Sequence, residues 1–372
     1  RSTIQEQEDA IVEGTGCPQH TAYMPARFLW LSRTDEEVWR RVRRWSDLGG
    51  YCYSRWFGLD SVPCSYSVAS WSGLLNRREL DWDDLVLSHL PISSERLPSL
   101  ADTDYQLSGL LPVYARRWPA LAECSFFLAV GDGVAANIGS GGVGPDSPVV
   151  TIGSTSAMRV AVPDTPKVPS GLWCYRVDRD TSLLGGALAE GGNVCAWLWN
   201  TLQIDRNNLE SELECIAPDS HGLTVLPFWF GERSPGYAGD ARAGILGLTA
   251  ATTPIEILRA SMEAVAYRLA IVAERLNPVC GADTSLIANG NALLSSRTWT
   301  QIVADVLGRP VCLSIEPEAT SRGVALMVLN ATGQIDNYND IPARYGEVFE
   351  PDRERHAIYR EAIARQCTFY PR

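Results

Sequence analysis

Between Thr253 and Pro278 the apolar residues Ile255, Leu258, Met262, Val265, Leu269, Val272 and Leu276 recur at alternating spacings of three and four. At 3.6 residues per turn this puts all seven on one face, so the segment is predicted to be a long helix packed along its length. Its start is marked as clearly. Thr253 suits the N-cap, Pro254 the first helical position and Glu256 the return contact of a capping box. Asn277-Pro278 is expected to end it. Ser285 to Ala288 then reads as a buried strand, followed by Asn289-Gly290-Asn291 and a helix from about Arg297 to Leu307, closed by Gly308 and Pro310. A strand, a glycine turn and a helix in that order offer backbone amides to a nucleotide. Alternating strands and helices imply an α/β architecture.

Upstream, Val149 to Ile152 and Ala157 to Val162 read as two strands joined by Gly153-Ser154-Thr155-Ser156, a hairpin with hydroxyl residues at its tip. Ser125 to Val130 is a short apolar run, expected as a strand that ends in the turn Gly131-Asp132-Gly133. The segment Asn137 to Asp146 holds Gly139, Gly141, Gly142 and Gly144, a plausible hinge or boundary. Nearer the start, Glu36 to Ser46 has a helical pattern with Gly49-Gly50 as its stop.

At 372 residues the chain exceeds what one core usually supports, so two domains are expected. The net charge of −12 argues against a nucleic-acid surface. Lys167 is the only lysine, which excludes a Walker-type phosphate loop and leaves amides, hydroxyls and metal to hold any phosphate. Ten cysteines without a CxxC pair, and four histidines, show no zinc-ligand spacing, so no protein metal site is expected and most thiols are read as buried and reduced. No apolar run is long enough to span a membrane, and Arg1 to Glu13 carry no apolar signal core. A cytoplasmic location follows as the expectation.

Three places could carry chemistry. An aspartate between two glycines at a strand end is open to a substrate, and Asp132 could take the proton from a hydroxyl during phosphoryl transfer. The hairpin tip could cradle phosphate oxygens. Gly185-Gly186-Ala187-Leu188-Ala189-Glu190-Gly191-Gly192-Asn193 could open a helix beside a purine. Taken alone, the first two read first as turns, and the third is equally a helix-packing feature.

Together they fit a family. Ala243-Gly-Ile-Leu-Gly-Leu, seven residues, then Glu256-Ile-Leu-Arg-Ala-Ser-Met-Glu263 resembles a signature of the FGGY carbohydrate kinases. Gly231-Glu232-Arg233-Ser234-Pro235, Glu318-Ala-Thr-Ser-Arg-Gly-Val-Ala325 and Arg27-Phe28-Leu29-Trp30-Leu31 resemble further family motifs. Thr15-Gly16-Cys17-Pro18-Gln19-His20, the segment Asp132 to Gly139, and Thr151-Ile152-Gly153 with Ala157-Met158-Arg159 look most like the gluconate kinase branch.

The resemblance implies two ribonuclease-H-like (actin-like ATPase) domains with a cleft between them, here residues 1–142 and 143–372. It implies transfer of phosphate from ATP, with Mg2+, to a hydroxyl of a sugar or sugar acid. Gluconate is favoured, with xylulose, ribulose or another polyol as the neighbouring choices, and a homodimer is compatible. Asp132 falls on the family's catalytic base. Gly153, Ser154 and Thr155 fall on its phosphate hairpin, Gly192 near the nucleotide, and Gly290 and Asn291 beside the adenosine. His20 and Tyr23, with Gly131 and Gly133, fall in the substrate region.

The chain departs from the family in three places. Asn291 stands where glycine is usual, and asparagine's tolerance of positive φ makes a mild change the expectation. The hairpin reads Gly-Ser-Thr-Ser rather than Gly-Thr-Ser-Gly. The family's opening Asp-x-Gly-Thr hairpin does not occur. About the first quarter of a typical member is therefore expected to be lacking from the first domain, and this chain alone is expected to bind ATP weakly and to be inactive. A non-catalytic relative that binds a sugar or a protein is the alternative this leaves. The complete signature from Ala243 to Glu263 argues against a chaperone-type ATPase.

Overall fold

The computed structural model describes residues 2–370. Up to residue 131 it is built of short helices and three two-residue strand pairs, Cys64–Ser65 with Leu100–Ala101, Leu75–Asn76 with Asp81–Trp82, and Gln106–Leu107 with Phe126–Phe127. Aromatic residues fill the small core beneath them, where the Phe28 and Trp45 rings lie 4.7 Å apart. The predicted strand before Asp132 shrinks to Phe126–Phe127.

The second half carries one mixed seven-stranded sheet. The elements that position the site are α1 (Asp132–Gly139), β1 (Val149–Ile152), β2 (Ser156–Pro163), β3 (Trp173–Arg176), β4 (Thr181–Leu188), α2 (Gly192–Leu202), α3 (Pro254–Cys280), β5 (Leu286–Asn289), α4 (Arg297–Leu307), β6 (Val311–Ser314), α5 (Ala319–Ala331), β7 (Tyr345–Phe349) and α6 (Arg353–Phe369). The strand order is β7-β6-β5-β1-β2-β4-β3. β5 runs parallel to both β1 and β6, and the remaining pairs are antiparallel.

Alternation along the strands sorts the two faces. Val150, Ile152, Met158 and Val160 pack with Val265, Leu269, Val272 and Leu276 of α3, and with α4 and α6. Each such side chain stabilises the fold by about 1.5–3 kcal/mol on burial. On the opposite face Ala161, Tyr175 and Leu183 meet Val134 and Ile138 of α1 and Leu326 and Met327 of α5. Helices therefore cover both faces, and α1 lies on the sheet of the second half.

Several local expectations change. Gly49 and Gly50 do not stop a helix; they lie in the first turn of Leu48–Phe57, because Asp47 caps it by accepting the Gly50 amide at 2.9 Å. Gly131-Asp132-Gly133 is not a free turn: Gly131 is the N-cap and Asp132 the first residue of α1. Gly185 and Gly186 lie inside β4, and only Gly192 opens a helix. α3 does not end at Asn277-Pro278 but runs on to Cys280, since a proline in the last turn removes a single bond. Positive φ falls at Gly290 (96°), while Asn291 starts a helical turn, Asn291–Ser295.

All ten cysteines are free, and five are buried rather than most of them; Cys124 and Cys215 are exposed. Among the described residues no helix is long and apolar enough to cross a membrane.

Candidate active site

The loop between β1 and β2 is locked by its neighbours. Gly192 donates its amide to the Gly153 carbonyl at 2.7 Å, and Asn193 donates to the Ser154 carbonyl at 3.1 Å. The Ser156 hydroxyl donates to the Glu190 carbonyl at 2.7 Å. Gly290 presses on the same loop, and a Cβ there would strike the Ile152 carbonyl. Gly153, Gly192 and Gly290 are thus brought together. The first two amides of α2 are spent on this contact and do not point at a ligand. Among the described residues the amides of Ser154 and Thr155 donate to nothing, and both side chains are exposed. Two free N–H groups and two hydroxyls are the tip's capacity for an anion.

A cavity of about 510 Å³ opens beside Gly192, with Cys195, Trp199, Met262, Ala292 and Trp299 in its walls. The Arg206 guanidinium lies over the Trp199 ring, 4.6 Å from its centroid. Its size and apolar walls suit a planar base. These tryptophans were not singled out in the sequence. Gly192 lines the cavity directly, and Asn291 adjoins it through Ala292.

Asp132 is exposed at the start of α1, where the helix dipole favours a carboxylate, and it accepts the Gly133 amide at 2.7 Å. The glycines on either side admit Trp71: a Cβ on Gly131 or Gly133 would lie 2.9 Å from its ring. Trp71 stacks on Tyr175 at 4.9 Å, and Tyr175 on Trp173 at 4.2 Å. Arg159 of β2 completes this side. Its Nη1 donates to the Thr151 hydroxyl at 3.2 Å, and its Nε lies 3.4 Å from where a Gly133 Cβ would be.

His20 and Tyr23 join the same wall. The Tyr23 and Tyr175 hydroxyls share a hydrogen bond of 2.7 Å, and burial pushes both phenols well above their ordinary values, so they stay protonated. His20 sits edge-on to Tyr237 at 5.4 Å. Burial, and then the Arg233 charge, hold its imidazole below the usual range, so it is neutral at pH 7.

The motif residues that identify the chain lie mostly outside this cleft. Arg259 and Glu263 of α3 pair at 2.7 Å in the interior. Glu263 also takes bonds from Tyr359 at 3.0 Å and Tyr267 at 3.2 Å, and shares one of 3.0 Å with His221. Burial raises the Glu263 carboxyl, but His221 and Arg259 outweigh it and hold it below the ordinary range. Asp219, His221 and Glu263 place ligand atoms within 4.8 Å of one another, yet Arg365 grips Asp219 and Arg259 grips Glu263. The cluster is internally satisfied. Glu232 pairs with Arg268 at 2.7 Å, and Arg322 donates to the Gly139 carbonyl at 2.8 Å.

Comparison with known proteins agrees with this architecture. The N-terminal domain of the FGGY family of carbohydrate kinases matches residues 2–139, so that domain, put in question by the lacking hairpin, is present in this chain. The family's C-terminal domain matches residues 149–331. Gluconokinase from Bacillus subtilis (strain 168) is 24% identical over 375 residues, covering 97% of this chain and 72% of that protein. The ligand-bound xylulose kinase structure from Lactobacillus acidophilus matches with a TM-score of 0.89 at 25% identity, covering 99% of this chain and 76% of that one. Gluconate kinase from the same organism matches with a TM-score of 0.88 at 25% identity, with the same coverage of 99% and 76%. With both family domains matched in order between residues 2 and 331, this chain belongs to the FGGY family of carbohydrate kinases.

Proposed function

We propose that the enzyme transfers the γ-phosphoryl group of ATP to a hydroxyl of a sugar or sugar acid, gluconate being the favoured acceptor, with Asp132 as general base. The observation that carries this reading is the exposed carboxylate of Asp132 in a chain whose β1–β2 loop offers two unpaired amides and two hydroxyls. Residues 1–142 would form the acceptor side and 143–372 the nucleotide side. Ser154 and Thr155 would hold the phosphates, with Gly153 shaping the tip, while Gly192, Gly290 and Asn291 border the adenosine. His20 and Tyr23 would wall the acceptor, and Gly131 and Gly133 would let it approach Asp132.

In-line transfer asks for positioning and charge neutralisation more than covalent help from the protein. Asp132 takes the hydroxyl proton as the oxygen attacks, and closure of the cleft keeps water from the γ-phosphate. Mg2+, when bound with ATP, offsets phosphate charge. The oxygen donors at hand, the Asp132 carboxylate and the Ser154 and Thr155 hydroxyls, suit such a hard cation.

The test is a coupled ADP-release assay with gluconate, xylulose, ribulose and glycerol as acceptors. Asp132→Asn should lower kcat by about 10²–10⁴-fold, the usual span for a general base, while ATP affinity is kept. Turnover unchanged in Asp132→Asn removes Asp132 from the mechanism.

A further inference from the structure

The Asp132 carboxylate accepts a bond from the Gly133 amide within its own turn, and that turn is anchored from elsewhere in the chain. The short helix Tyr66–Trp71 and its N-cap Ser65 bury three hydroxyls, those of Ser65, Ser67 and Ser70, each residue at most 2% exposed. Two of them reach the segment just before Asp132, and the third reaches the sheet. Ser65 Oγ donates to the Ala129 carbonyl at 2.6 Å. Ser67 Oγ accepts from the Gly131 amide at 3.1 Å. Ser70 Oγ accepts from the Arg176 amide of β3 at 3.0 Å, and the Ser70 carbonyl accepts from the Cys17 thiol at 3.3 Å. A buried hydroxyl is tolerated when it is bonded, so these three fix where the helix sits against the start of α1.

Trp71, the last residue of that helix, lies against the turn itself. A Cβ on Gly131 would fall 2.9 Å from Cε2 and Nε1 of the indole, and one on Gly133 would fall 2.9 Å from Cη2. Neither glycine is needed for backbone freedom, since neither has a positive φ and Gly131 stands at −62°. The space that a side chain would take at each is filled by the indole. Trp71 also stacks on Tyr175 of β3 at 4.9 Å, so the sheet holds the ring in turn. Among the described residues its buried Nε1 has no acceptor. An unpaired buried donor is costly, so what this position retains is the flat ring and not its polar group.

We propose that Ser67 and Trp71 are positioning residues for Asp132: Ser67 ties down the N-cap of α1, and Trp71 braces its first turn, so that the carboxylate faces the acceptor hydroxyl in one direction. This rests on the reading of Asp132 as general base and adds the part of the chain that aims it. Left to itself the turn would be loose. Gly131 has no side chain with which to cap the helix, and glycine on both sides of Asp132 widens the conformations open to it. A base displaced by about 1 Å loses about 10² in rate, so bracing from outside is what such a turn requires. The competing role is an indole that touches the acceptor. The edge from Nε1 to Cη2 is already taken by the two glycines, which favours the brace.

The experiment uses Ser67→Ala, Trp71→Ala and Trp71→Phe in the full chain. Trp71→Phe keeps a ring on Tyr175 but withdraws the outer half of the indole from the glycines, and it serves where Trp71→Ala does not fold. With ATP and gluconate, Trp71→Ala should lower kcat by up to about 10²-fold, and the other two by less, with both KM values unchanged. Added to Asp132→Asn, each should cost nothing further, because a residue that acts only through the base has no effect once the base is gone. A raised KM for gluconate at unchanged kcat overturns the proposal and makes Trp71 an acceptor contact. Full additivity with Asp132→Asn overturns it as well. Hydrogen exchange over residues 129–136, followed by mass spectrometry, tests the brace without turnover. It should quicken about fivefold to tenfold in Ser67→Ala, the equivalent of one hydrogen bond, and unchanged exchange overturns the brace. Quickened exchange in a chain whose Asp132→Asn form turns over normally supports the brace and sinks only the assignment of the base.

Discussion

Asp132 owes its setting to the two neighbours that have no side chain. Gly131 and Gly133 let Trp71 lie flat on the backbone, and Trp71 rests in turn on Tyr175. The triplet shows in the sequence, and so do the hydroxyls of the hairpin tip. Arg159 shows there only as the last residue of the motif Ala157-Met158-Arg159, and its place beside α1 comes from sheet register. Glu190 is a similar case. It is 3% exposed and its carboxylate accepts the Phe230 amide at 3.3 Å. Burial pushes its pKa up to about 7 from an ordinary 4.5. Between those values the folded state holds a proton that the unfolded chain has lost, so stability falls as pH rises through this window. Glu190→Gln should therefore raise the unfolding temperature at pH 8 and leave it unchanged near pH 4.5. The gain should not exceed about 3 kcal/mol, the equivalent of the whole shift. Equal pH slopes in the two proteins would show that Glu190 is not the group responsible.

At the scale of elements, α3 was the most legible part of the chain. Its period, its capping box and its apolar face all appear in the structure, the Thr253 hydroxyl accepting from the Glu256 amide at 3.4 Å while the Glu256 carboxylate accepts from the Thr253 amide at 2.8 Å. What the pattern could not convey is the purpose of its polar residues. Arg259 and Glu263 look like the solvent face of an amphipathic helix, yet both are buried and bind α6 through Tyr359. That tie depends on a residue about 100 positions away, beyond the reach of any local signal. Glu263→Ala would leave Arg259 as a buried, unpaired cation, so it should cost about 3–5 kcal/mol. The denaturant midpoint should fall at constant slope, and catalysis by the surviving folded fraction should be normal. A loss of turnover without loss of stability would instead place Glu263 in the chemistry. The shorter elements of the first half were less legible, since two-residue strands carry no period and a cap such as Asp47 can draw a pair of glycines into a helix.

On the scale of the whole molecule, α1 and α5 cross where neither helix has a side chain. Gly139 lies against the Ala319 backbone and Gly323 against that of Ala135, so a methyl group at either would overlap a carbonyl oxygen. Arg322 holds the same crossing through the Gly139 carbonyl. Gly323→Ala should push the helices apart, at about 1–3 kcal/mol of stability for an overpacked contact, read as a lower unfolding temperature. A crossing of this kind also acts as a fulcrum. Translation is blocked by backbone meeting backbone, and rotation is the freedom left to the two helices. Asp132 stands three residues before Ala135, about 4.5 Å at 1.5 Å per residue, so a turn of roughly 13° carries its carboxylate through about 1 Å. A displacement of that size can change a rate by about 10². The aim of the Asp132 carboxylate is then set by α5, a helix that does not carry it, and, with Asp132 as the proposed base, Gly323→Ala should lower kcat well beyond what its lost stability explains. Unchanged kcat in the folded variant would show that α1 keeps its bearing without α5.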